Sequence, residues 1–258
     1  MQTIVLLSGG LDSAVVLAMC RAESKECHAL SFRYGQRHAV ELAAAARVAQ
    51  SLGAASHRVC AIDVACLAGS ALTGRGEVPK GRSEQEIGRG IPSTYVPGRN
   101  TLFVAHALGL AESIGAGEIA LGINAVDYSG YPDCRPEWLF AVQEVARLGT
   151  KVGILGQPVR LLAPLLHMSK ADIIRRGAAL GVDFGLTLSC YDPAGDGSAC
   201  AACDACILRR RGFEEARVPD PTRYRHRRQA PEKPITAGSG VRRPPPGKSP
   251  SPKGRGSG

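Results

Sequence analysis

The sequence of 258 residues contains no run of about 18 consecutive apolar residues, the minimum length of a membrane-spanning helix. It also has no basic stretch ahead of its first apolar run, residues 4–7, and that run ends at a serine–glycine loop. A secretory signal peptide combines a basic start with a longer apolar segment. We therefore expect a cytoplasmic protein with neither a signal peptide nor a membrane anchor.

Apolar residues are also scarce from Arg225 to the end, where proline, glycine, serine, lysine and arginine dominate. Such a segment cannot bury enough apolar surface to fold, so we predict a disordered basic tail over residues 225–258. Its nine lysines and arginines and its one acid, Glu232, account for +8 of the net charge of +9. Residues 1–224 are thus nearly neutral, and we expect no membrane partner and no specific nucleic-acid binding by them.

Short segments rich in valine, isoleucine and leucine alternate with helix-like segments through residues 1–185. The alternation predicts an α/β fold with a doubly wound parallel sheet, which binds ligands at the carboxyl ends of its strands. Since most of these segments lack strict polar–apolar alternation, we expect strands buried on both faces. The predicted strands are Thr3–Leu7, Cys27–Phe32, His57–Ile62, Glu118–Gly122 and Val159–Leu162, and the predicted helices are Ser13–Ala22, Arg37–Leu52, Asn100–Ile114, Pro136–Leu148 and Lys170–Leu180.

The segment Ser8-Gly9-Gly10-Leu11-Asp12-Ser13 connects the first predicted strand to the first predicted helix. Two glycines let such a loop adopt φ values that other residues avoid and let its backbone approach a ligand closely. The N–H groups of the loop and the helix N-terminus converge on one point, which suits an anion. A carboxylate lies beside phosphate groups when Mg²⁺ bridges the two, so Asp12 indicates a metal–nucleotide complex.

An ordinary helix N-cap is the alternative interpretation of this segment. The full string between a buried strand and a helix favours nucleotide binding, and it resembles the pyrophosphate loop of the PP-loop ATPases, which split ATP between the α and β phosphates. The chain lacks the Gly-Lys-Ser/Thr of a Walker loop and the Gly-x-Gly-x-x-Gly of a dinucleotide fold at this position.

Nine cysteines in a chain expected in the cytoplasm argue for metal binding or chemistry rather than for a disulfide framework. Four of them have the spacing C-x9-C-x2-C-x2-C, which predicts one closed, tetrahedral, structural Zn²⁺ per chain. An iron–sulfur cluster is the alternative for four cysteines. We therefore predict a zinc-binding segment over residues 186–224, packed on the α/β domain, with the ligands Cys190, Cys200, Cys203 and Cys206.

Five blocks of sequence together are similar to the 7-cyano-7-deazaguanine synthases, the preQ0 synthases of queuosine biosynthesis. The first block is shared by PP-loop enzymes in general, whereas Tyr-Gly-Gln-Arg-His, Tyr-Pro-Asp-Cys and the cysteine spacing together are specific. The resemblance covers about residues 1–224 and leaves the tail unexplained. The blocks are Ser8–Ser13, Phe32–His38, Pro92–Asn100, Asp127–Arg135 and the four-cysteine segment that ends at Phe213.

The resemblance implies an ATP-dependent ligase that converts 7-carboxy-7-deazaguanine and ammonia into 7-cyano-7-deazaguanine. One ATP adenylates the carboxylate, and ammonia displaces AMP to give the amide. A second ATP activates the amide oxygen, and loss of AMP leaves the nitrile. The partners are then small molecules, with Mg²⁺ accompanying ATP. The chain has no room for a glutaminase domain, so ammonia comes from solution or from another protein, and a homodimer is compatible with the sequence.

The resemblance also implies roles for individual residues. Asp133 suits the paired N–H donors of a deazaguanine edge, although an aspartate after proline is also a common turn residue. Lys170 suits a second phosphate contact or an exposed helix start, and Cys134 is expected to line the pocket. The expected catalytic residues are Ser8, Asp12, Ser13 and Lys170; the nucleotide-binding residues are Leu7, Ser8, Gly9, Gly10, Leu11, Asp12, Ser13, Ala14, Val15, Val16 and Leu17; the substrate-binding residues are Gln36, Arg37, Arg99, Asn100, Tyr131 and Asp133.

Three other functions are weighed against this one. Another PP-loop activity, such as tRNA thiolation, needs a reactive cysteine or a cluster, and the closed spacing of the four cysteines disfavours it. A relative that hands the activated deazaguanine acid to a different acceptor has the same motifs and stays open. A non-catalytic zinc module that binds nucleic acid does not explain the intact ATP loop.

Overall fold

The computed structural model describes residues 1–35, 40–63, 70–73, 76–87, 89–126 and 130–225. Arg225, the first residue of the predicted tail, binds the Ala199 and Asp192 carbonyl oxygens, whereas residues 226–258 of the predicted tail and residues Gln36 and Arg37 lie outside this part of the chain. Within it, Met1–Arg225 form one compact unit, and the division at residues 185 and 186 stays a prediction. None of the helices in the described ranges has the length and apolar character that crossing a membrane requires.

Five parallel strands form one sheet in the order β3-β2-β1-β4-β5. The chain runs outward from β1 to β3 and then crosses to the other side of β1, so the strand order reverses between β1 and β4. That reversal is where sheets of this kind open a crevice for ligands. The strands are β1 (Gln2–Leu6), β2 (Glu26–Arg33), β3 (Ser56–Ala61), β4 (Glu118–Ala120) and β5 (Arg160–Leu162).

Helices cover both faces of the sheet, as the doubly wound prediction requires. In β1, Ile4 packs with α4 and α5 on one face, and Val5 packs with α1, α2, α7 and α8 on the other. This alternation follows from the two-residue period of a strand. The helices are α1 (Leu11–Ala22), α2 (Val40–Ser51), α3 (Glu84–Ile87), α4 (Arg99–Ile114), α5 (Pro136–Gly149), α6 (Lys151–Ile154), α7 (Lys170–Ala179) and α8 (Asp204–Ala216).

All five predicted strands and all five predicted helices are present, with ends shifted by a few residues. Ser169 has the residue type of an N-cap and caps α7, since its Oγ accepts a hydrogen bond from the Asp172 N–H at 3.2 Å. Burial on both faces is wrong for β3. It is an edge strand, paired only with β2, and its Val59 is 50% exposed.

The sequence analysis missed α8, the helix that carries the last cysteine. Its segment contains three consecutive arginines and little apolar periodicity, so no helical pattern is visible. α8 packs closely on α7 at Gly212, where a Cβ would lie only 2.3 Å from Lys170 Cγ and 2.9 Å from Ile174 Cδ1. Glycine at this position leaves room for the buried Lys170 side chain, which reaches the loop after β1.

Candidate active site

A cavity of about 250 Å³ opens at the carboxyl ends of β1, β2 and β4. Its walls come from the loop after β1, from the residues that follow β2 and β4, from the first turns of α2 and α4, and from residues 188–191. Ser8, Tyr34 and Gly122, which follow the ends of β1, β2 and β4, all line it. The expected location of the ligand site at the strand ends is therefore matched by a cavity.

The loop after β1 is held by hydrogen bonds among its own serines. Ser8 Oγ lies 3.1 Å from Ser13 Oγ, and Ser13 Oγ accepts from the Ser8 N–H at 3.2 Å. Gly10 precedes α1 and gives the helix no side-chain cap. The first turn of a helix carries N–H groups without intrahelical partners, and here that turn borders the cavity.

The two glycines of the loop have different roles. Gly10 lines the cavity, as expected for a backbone that approaches a ligand. Gly9 has a φ of +85°, and a Cβ there would lie 2.5 Å from the Glu41 carbonyl oxygen and 2.7 Å from the Ala45 nitrogen. Gly9 is therefore required for close packing of the loop against α2 and does not face the cavity.

The other predicted nucleotide-binding residues, from the loop and from α1, also divide into two groups. Leu7, Ser8, Leu11, Asp12 and Ser13 line the cavity. The remaining four belong to the apolar core between the sheet, α7 and α8 rather than to the cavity wall; they are Ala14, Val15, Val16 and Leu17.

Asp12 is paired with Lys170. Lys170 Nζ donates to both carboxylate oxygens of Asp12, at 2.7 and 2.9 Å, and the lysine side chain is only 8% exposed. Asp12 lines the cavity and Lys170 lies behind it. The lysine thus neutralises and orients the loop carboxylate, a contact that the sequence could not show across more than 150 residues.

Arg99 is the one cation among the described residues of the cavity wall. Its guanidinium lies 5.8 Å from the centre of the Tyr34 ring and donates a long hydrogen bond, 3.4 Å, to the Tyr34 hydroxyl. Burial raises the pKa of Tyr34, against the opposing effect of Arg99. A half-buried cation and a neutral phenol here can receive an anionic group.

Asn100 and Asp133 interact directly at the start of α4. The Asn100 N–H donates to Asp133 Oδ2 at 3.0 Å, and Asn100 Nδ2 donates to the Asp133 carbonyl oxygen at 2.9 Å. Asn100 and Tyr131 line the cavity, whereas Asp133 lies behind the wall, 4% exposed. Asp133 Oδ1 is buried without a hydrogen-bond partner.

Cys134 lines the cavity, as expected. Burial, with a further contribution from Asp133, raises the pKa of its thiol to about 12. A thiol with such a pKa is protonated at neutral pH, and the nucleophilic form of cysteine is the thiolate. The position of Cys134 in the cavity therefore does not make it a nucleophile.

The sequence analysis missed Glu41, which lies in the first turn of α2 and lines the cavity. Burial raises the pKa of its carboxyl to about 7, partly opposed by the Arg99 guanidinium. An acidic residue in a first helical turn is common because it complements the helix dipole. Its type and place in the sequence therefore carried no signal.

Leu188, Ser189 and Tyr191 were also missed as cavity residues, and they join the cavity to the cysteine segment. The Leu188 N–H donates to the Gly9 carbonyl oxygen at 2.8 Å, and Ser189 Oγ accepts from the Leu11 N–H at 3.4 Å. Arg209 of α8, 3% exposed, donates in turn to Ser189 Oγ at 3.3 Å and to Thr187 Oγ1 at 2.8 Å. One buried arginine thus links the cysteine helix to the loop after β1.

The four predicted metal ligands come together. Their sulfur atoms all lie within 4.8 Å of one another, and Cys203 Sγ lies 3.5 Å from Cys206 Sγ and 4.0 Å from Cys190 Sγ. Four thiolates about 2.3 Å from a tetrahedral Zn²⁺ have sulfurs about 3.8 Å apart. Backbone N–H groups also donate to the sulfurs, among them that of Cys200 to Cys190 Sγ at 3.2 Å. The cluster could hold a metal ion of this kind.

Residues 80–82, in the glycine-rich stretch between β3 and α4, contact this cluster. Lys80 forms a β-bridge with Cys203, the Gly81 N–H donates to the Ala202 carbonyl oxygen at 2.8 Å, and Arg82 forms a two-point ion pair with the buried Asp204. The described part of that stretch is therefore fixed to the cysteine segment.

Comparison with known proteins agrees with this arrangement. A sequence model of the family described as "Queuosine biosynthesis protein QueC" matches residues 2–217. The chain belongs to the QueC family.

Relatives of this family are similar over most of their length. The chain is 56% identical over 223 residues to the 7-cyano-7-deazaguanine synthase of Myxococcus xanthus (strain DK1622). The aligned region covers 86% of this chain and 97% of that protein. The chain is also 57% identical over 224 residues to the 7-cyano-7-deazaguanine synthase of Anaeromyxobacter dehalogenans (strain 2CP-C), and that aligned region covers 86% and 95%. The QueC match therefore includes both the cavity and the four cysteines.

We expect Cys203→Ser to lose the bound metal and to lower the free energy of unfolding by several kcal/mol, because thiolate–metal binding energy is also folding energy. Metal analysis and thermal unfolding of the purified protein test this. Cys60→Ser, which removes a thiol outside the cluster, is the control and should keep its metal. A Cys203→Ser protein with full metal content and unchanged melting would contradict the site.

Proposed function

We propose that this chain is an ATP-dependent carbon–nitrogen ligase that converts 7-carboxy-7-deazaguanine and ammonia into 7-cyano-7-deazaguanine, in queuosine biosynthesis. The observation that carries the proposal is the QueC match over residues 2–217, with relatives named for this synthase. The cavity at the strand ends supports it, because it combines the serine–glycine loop with a cation and two carboxylates.

The reaction needs a carboxylate to become an electrophile, and adenylation achieves this by replacing oxide with AMP as the leaving group. The loop from Ser8 to Ser13 and the N-terminus of α1 bind the pyrophosphate part of ATP through backbone N–H groups. Arg99 and Asn100, at the start of α4, receive the substrate carboxylate or the α-phosphate. The Arg99 guanidinium on the cavity wall stabilises the charge that develops on phosphate oxygens.

Asp12 is the residue that would hold a Mg²⁺ ion with ATP, because it is the loop carboxylate on the cavity wall. Carboxylate and phosphate oxygens are the ligands that Mg²⁺ prefers. Lys170 keeps Asp12 in one orientation through its two hydrogen bonds. The positive charge of Lys170 lies directly behind Asp12, on the side where the pyrophosphate would leave. We therefore retain a catalytic role for Lys170 in this proposal.

The four cysteines would hold a structural Zn²⁺. All four ligand positions of a tetrahedral site are filled by thiolates, so no position remains for substrate. The ion would fix the start of α8 and, through Arg209, the residues that contact the ATP loop. Zinc is favoured over an iron–sulfur cluster, and a colourless protein with one zinc per chain is the expected result.

Among the alternatives, tRNA thiolation is disfavoured by the cysteines. The four clustered thiols lie within 4.8 Å of one another, and none of these four cysteines lines the cavity. Cys134 does line it, but the pKa of its thiol is raised to about 12. Transfer of the activated acid to an acceptor other than ammonia uses the same adenylation step. It is distinguished by product analysis with ammonium as the sole acceptor.

We also propose a homodimer that buries the exposed apolar surface of α5 and α6. Phe140, Leu148 and Ile154 are 61–75% exposed on these two helices, which contact each other, and exposed apolar surface is where proteins associate. Sedimentation of the wild-type protein should give a dimer and sedimentation of a Phe140→Asp, Leu148→Asp variant a monomer. A monomeric wild type would contradict the proposal.

The nucleotide products test the reaction class. With 7-carboxy-7-deazaguanine, ammonium and Mg-ATP, we expect AMP and pyrophosphate, with the amide and then the nitrile appearing by mass analysis. The reason is the resemblance of the loop to those that split ATP between the α and β phosphates. ADP and phosphate as sole nucleotide products would contradict it.

Substitution of the two aspartates tests the placement of the substrate. Asp133→Ala should weaken use of the deazaguanine acid by about 10- to 100-fold in kcat/KM, or about 1–3 kcal/mol, with ATP binding intact, because the substrate loses Asp133 Oδ1, the carboxylate oxygen that Asn100 does not occupy. Asp12→Ala should abolish AMP release for any acid, because it removes the residue on the metal–pyrophosphate side.

The control for Asp133 is Asp133→Asn. Its single side-chain oxygen keeps the hydrogen bond from the Asn100 N–H, and its NH2 group then faces the substrate as a competing donor. We expect its kcat/KM for the acid to fall while its melting temperature stays near that of the wild type. Wild-type use of the acid by Asp133→Ala would place the base elsewhere.

A further inference from the structure

Each molecule of ammonia loses all three of its hydrogens in the proposed reaction, because its nitrogen ends as a nitrile. One proton leaves when the amide forms, and two leave when the activated amide loses AMP. A site that performs these steps needs a group that accepts protons from nitrogen. The assignment of that proton acceptor rests on the proposed function.

Most titratable groups of the described cavity wall are poorly suited to accept a proton. Burial raises the pKa of Tyr34, of Tyr131 and of the Cys134 thiol, so all three keep their protons at neutral pH. Arg99 is a cation. Both oxygens of Asp12 accept hydrogen bonds from Lys170, at 2.7 and 2.9 Å.

Glu41 differs from these groups in its surroundings. Its carboxyl makes no hydrogen bond or ion pair with any residue of the described ranges, although it lines the cavity. Its position is fixed by the backbone, because the Glu41 carbonyl oxygen packs against Gly9, where a Cβ would lie at 2.5 Å. Glu41 is therefore held directly beside the ATP loop, and its carboxyl has no hydrogen-bond partner within the described part of the chain.

We propose that Glu41 is the catalytic base that removes protons from the nitrogen of the nucleophile. In the first half-reaction the nitrogen lone pair forms the C–N bond, the C–O bond to the phosphate breaks, and its electron pair leaves with AMP. The Glu41 carboxylate takes the proton that the nitrogen loses and then gives it to water. In the second half-reaction the nitrogen of the activated amide loses two protons, which Glu41 accepts one at a time and passes to water. The electron pairs of the two broken N–H bonds complete the C–N triple bond, and the C–O bond to the phosphate breaks as its electron pair leaves with the second AMP.

The charged and titratable groups that face Glu41 agree with this role. Arg99 of α4 favours the ionised carboxylate, whereas burial disfavours it, and the pKa is about 7 as a result. Tyr34, which follows β2, is neutral and faces the same space. A base works best when its pKa is near the working pH. Since Glu41 acts in its ionised form, the rate of amide formation should rise with pH through about 7 and level off above it.

The test uses full-length protein with Glu41→Gln and compares two partial reactions. Acid-dependent exchange of label between pyrophosphate and ATP reports adenylate formation, which removes no proton from nitrogen. Amide formation from ammonium reports the step that does. The total ammonium is adjusted at each pH so that the free ammonia concentration stays constant. Glu215→Gln, which removes an exposed glutamate of α8 that pairs with Arg211, is the matched control.

We expect Glu41→Gln to keep pyrophosphate exchange near the wild-type rate and to lower amide formation by about 10²-fold or more. Its remaining activity should lack the rise with pH near 7, and Glu41→Asp should restore part of that rise. Glu215→Gln should match the wild type in both assays.

Two results would overturn the assignment while leaving the proposed function intact. One is a Glu41→Gln protein that forms amide at the wild-type rate at fixed free ammonia. The other is a parallel loss of exchange and amide formation, which would place Glu41 in ATP or metal binding. A wild-type protein that forms neither amide nor nitrile would instead contradict the proposed function, and the assignment of Glu41 with it.

Discussion

The backbone of the loop after β1 lies against the cavity because other segments pack on the opposite side of the loop and fix its position. Gly9 packs against the first turn of α2, Gly122 lets the end of β4 approach Ser13 (a Cβ would lie 3.1 Å from its nitrogen), and Leu188 binds the Gly9 carbonyl oxygen. A glycine loop is costly to order because glycine has so many conformations to lose. These contacts order it in advance, so that a ligand does not have to. The positions of α2, β4 and residues 188–191 are therefore also conditions for the site.

The cysteine cluster stabilises the same loop at a distance. α8 begins at the cluster, and its buried Arg209 reaches Ser189, which in turn accepts from the Leu11 N–H. Arg209 also donates to the Phe184 carbonyl oxygen and pairs with Asp220, so its guanidinium is fixed on several sides. A metal that closes the cluster adds folding energy to this segment. A site with no open coordination position can thus still affect nucleotide binding, through the helix that it fixes.

The sequence predicted best the parts of the fold that depend on local patterns. The strands of the sheet are short apolar runs, Ser169 is a recognisable cap, and the cysteine spacing indicates a cluster without any knowledge of the fold. Contacts between distant segments were not accessible in this way. The pairing of Lys170 with Asp12 and the link from Arg209 to Ser189 depend on how α7 and α8 pack, and α8 has too little periodicity to be predicted. Glu41 was missed for a different reason, since an acid in a first helical turn is ordinary and only its burial beside the cavity distinguishes it.

The cavity holds two carboxylates whose surroundings differ, and this difference separates two kinds of chemistry. Asp12 is paired with a buried lysine beside the helix N-terminus, where phosphate and a metal ion belong. Glu41 has no such partner within the described part of the chain, and burial against the opposing effect of Arg99 leaves its pKa near neutral pH, at about 7. Paired acidic groups with different environments are how one site performs two roles at a single pH. Asp12 belongs to the same loop segment as Gly9, and Glu41 packs against Gly9 through its carbonyl oxygen. The same few residues therefore hold the proposed pyrophosphate site and the proposed base at a fixed separation.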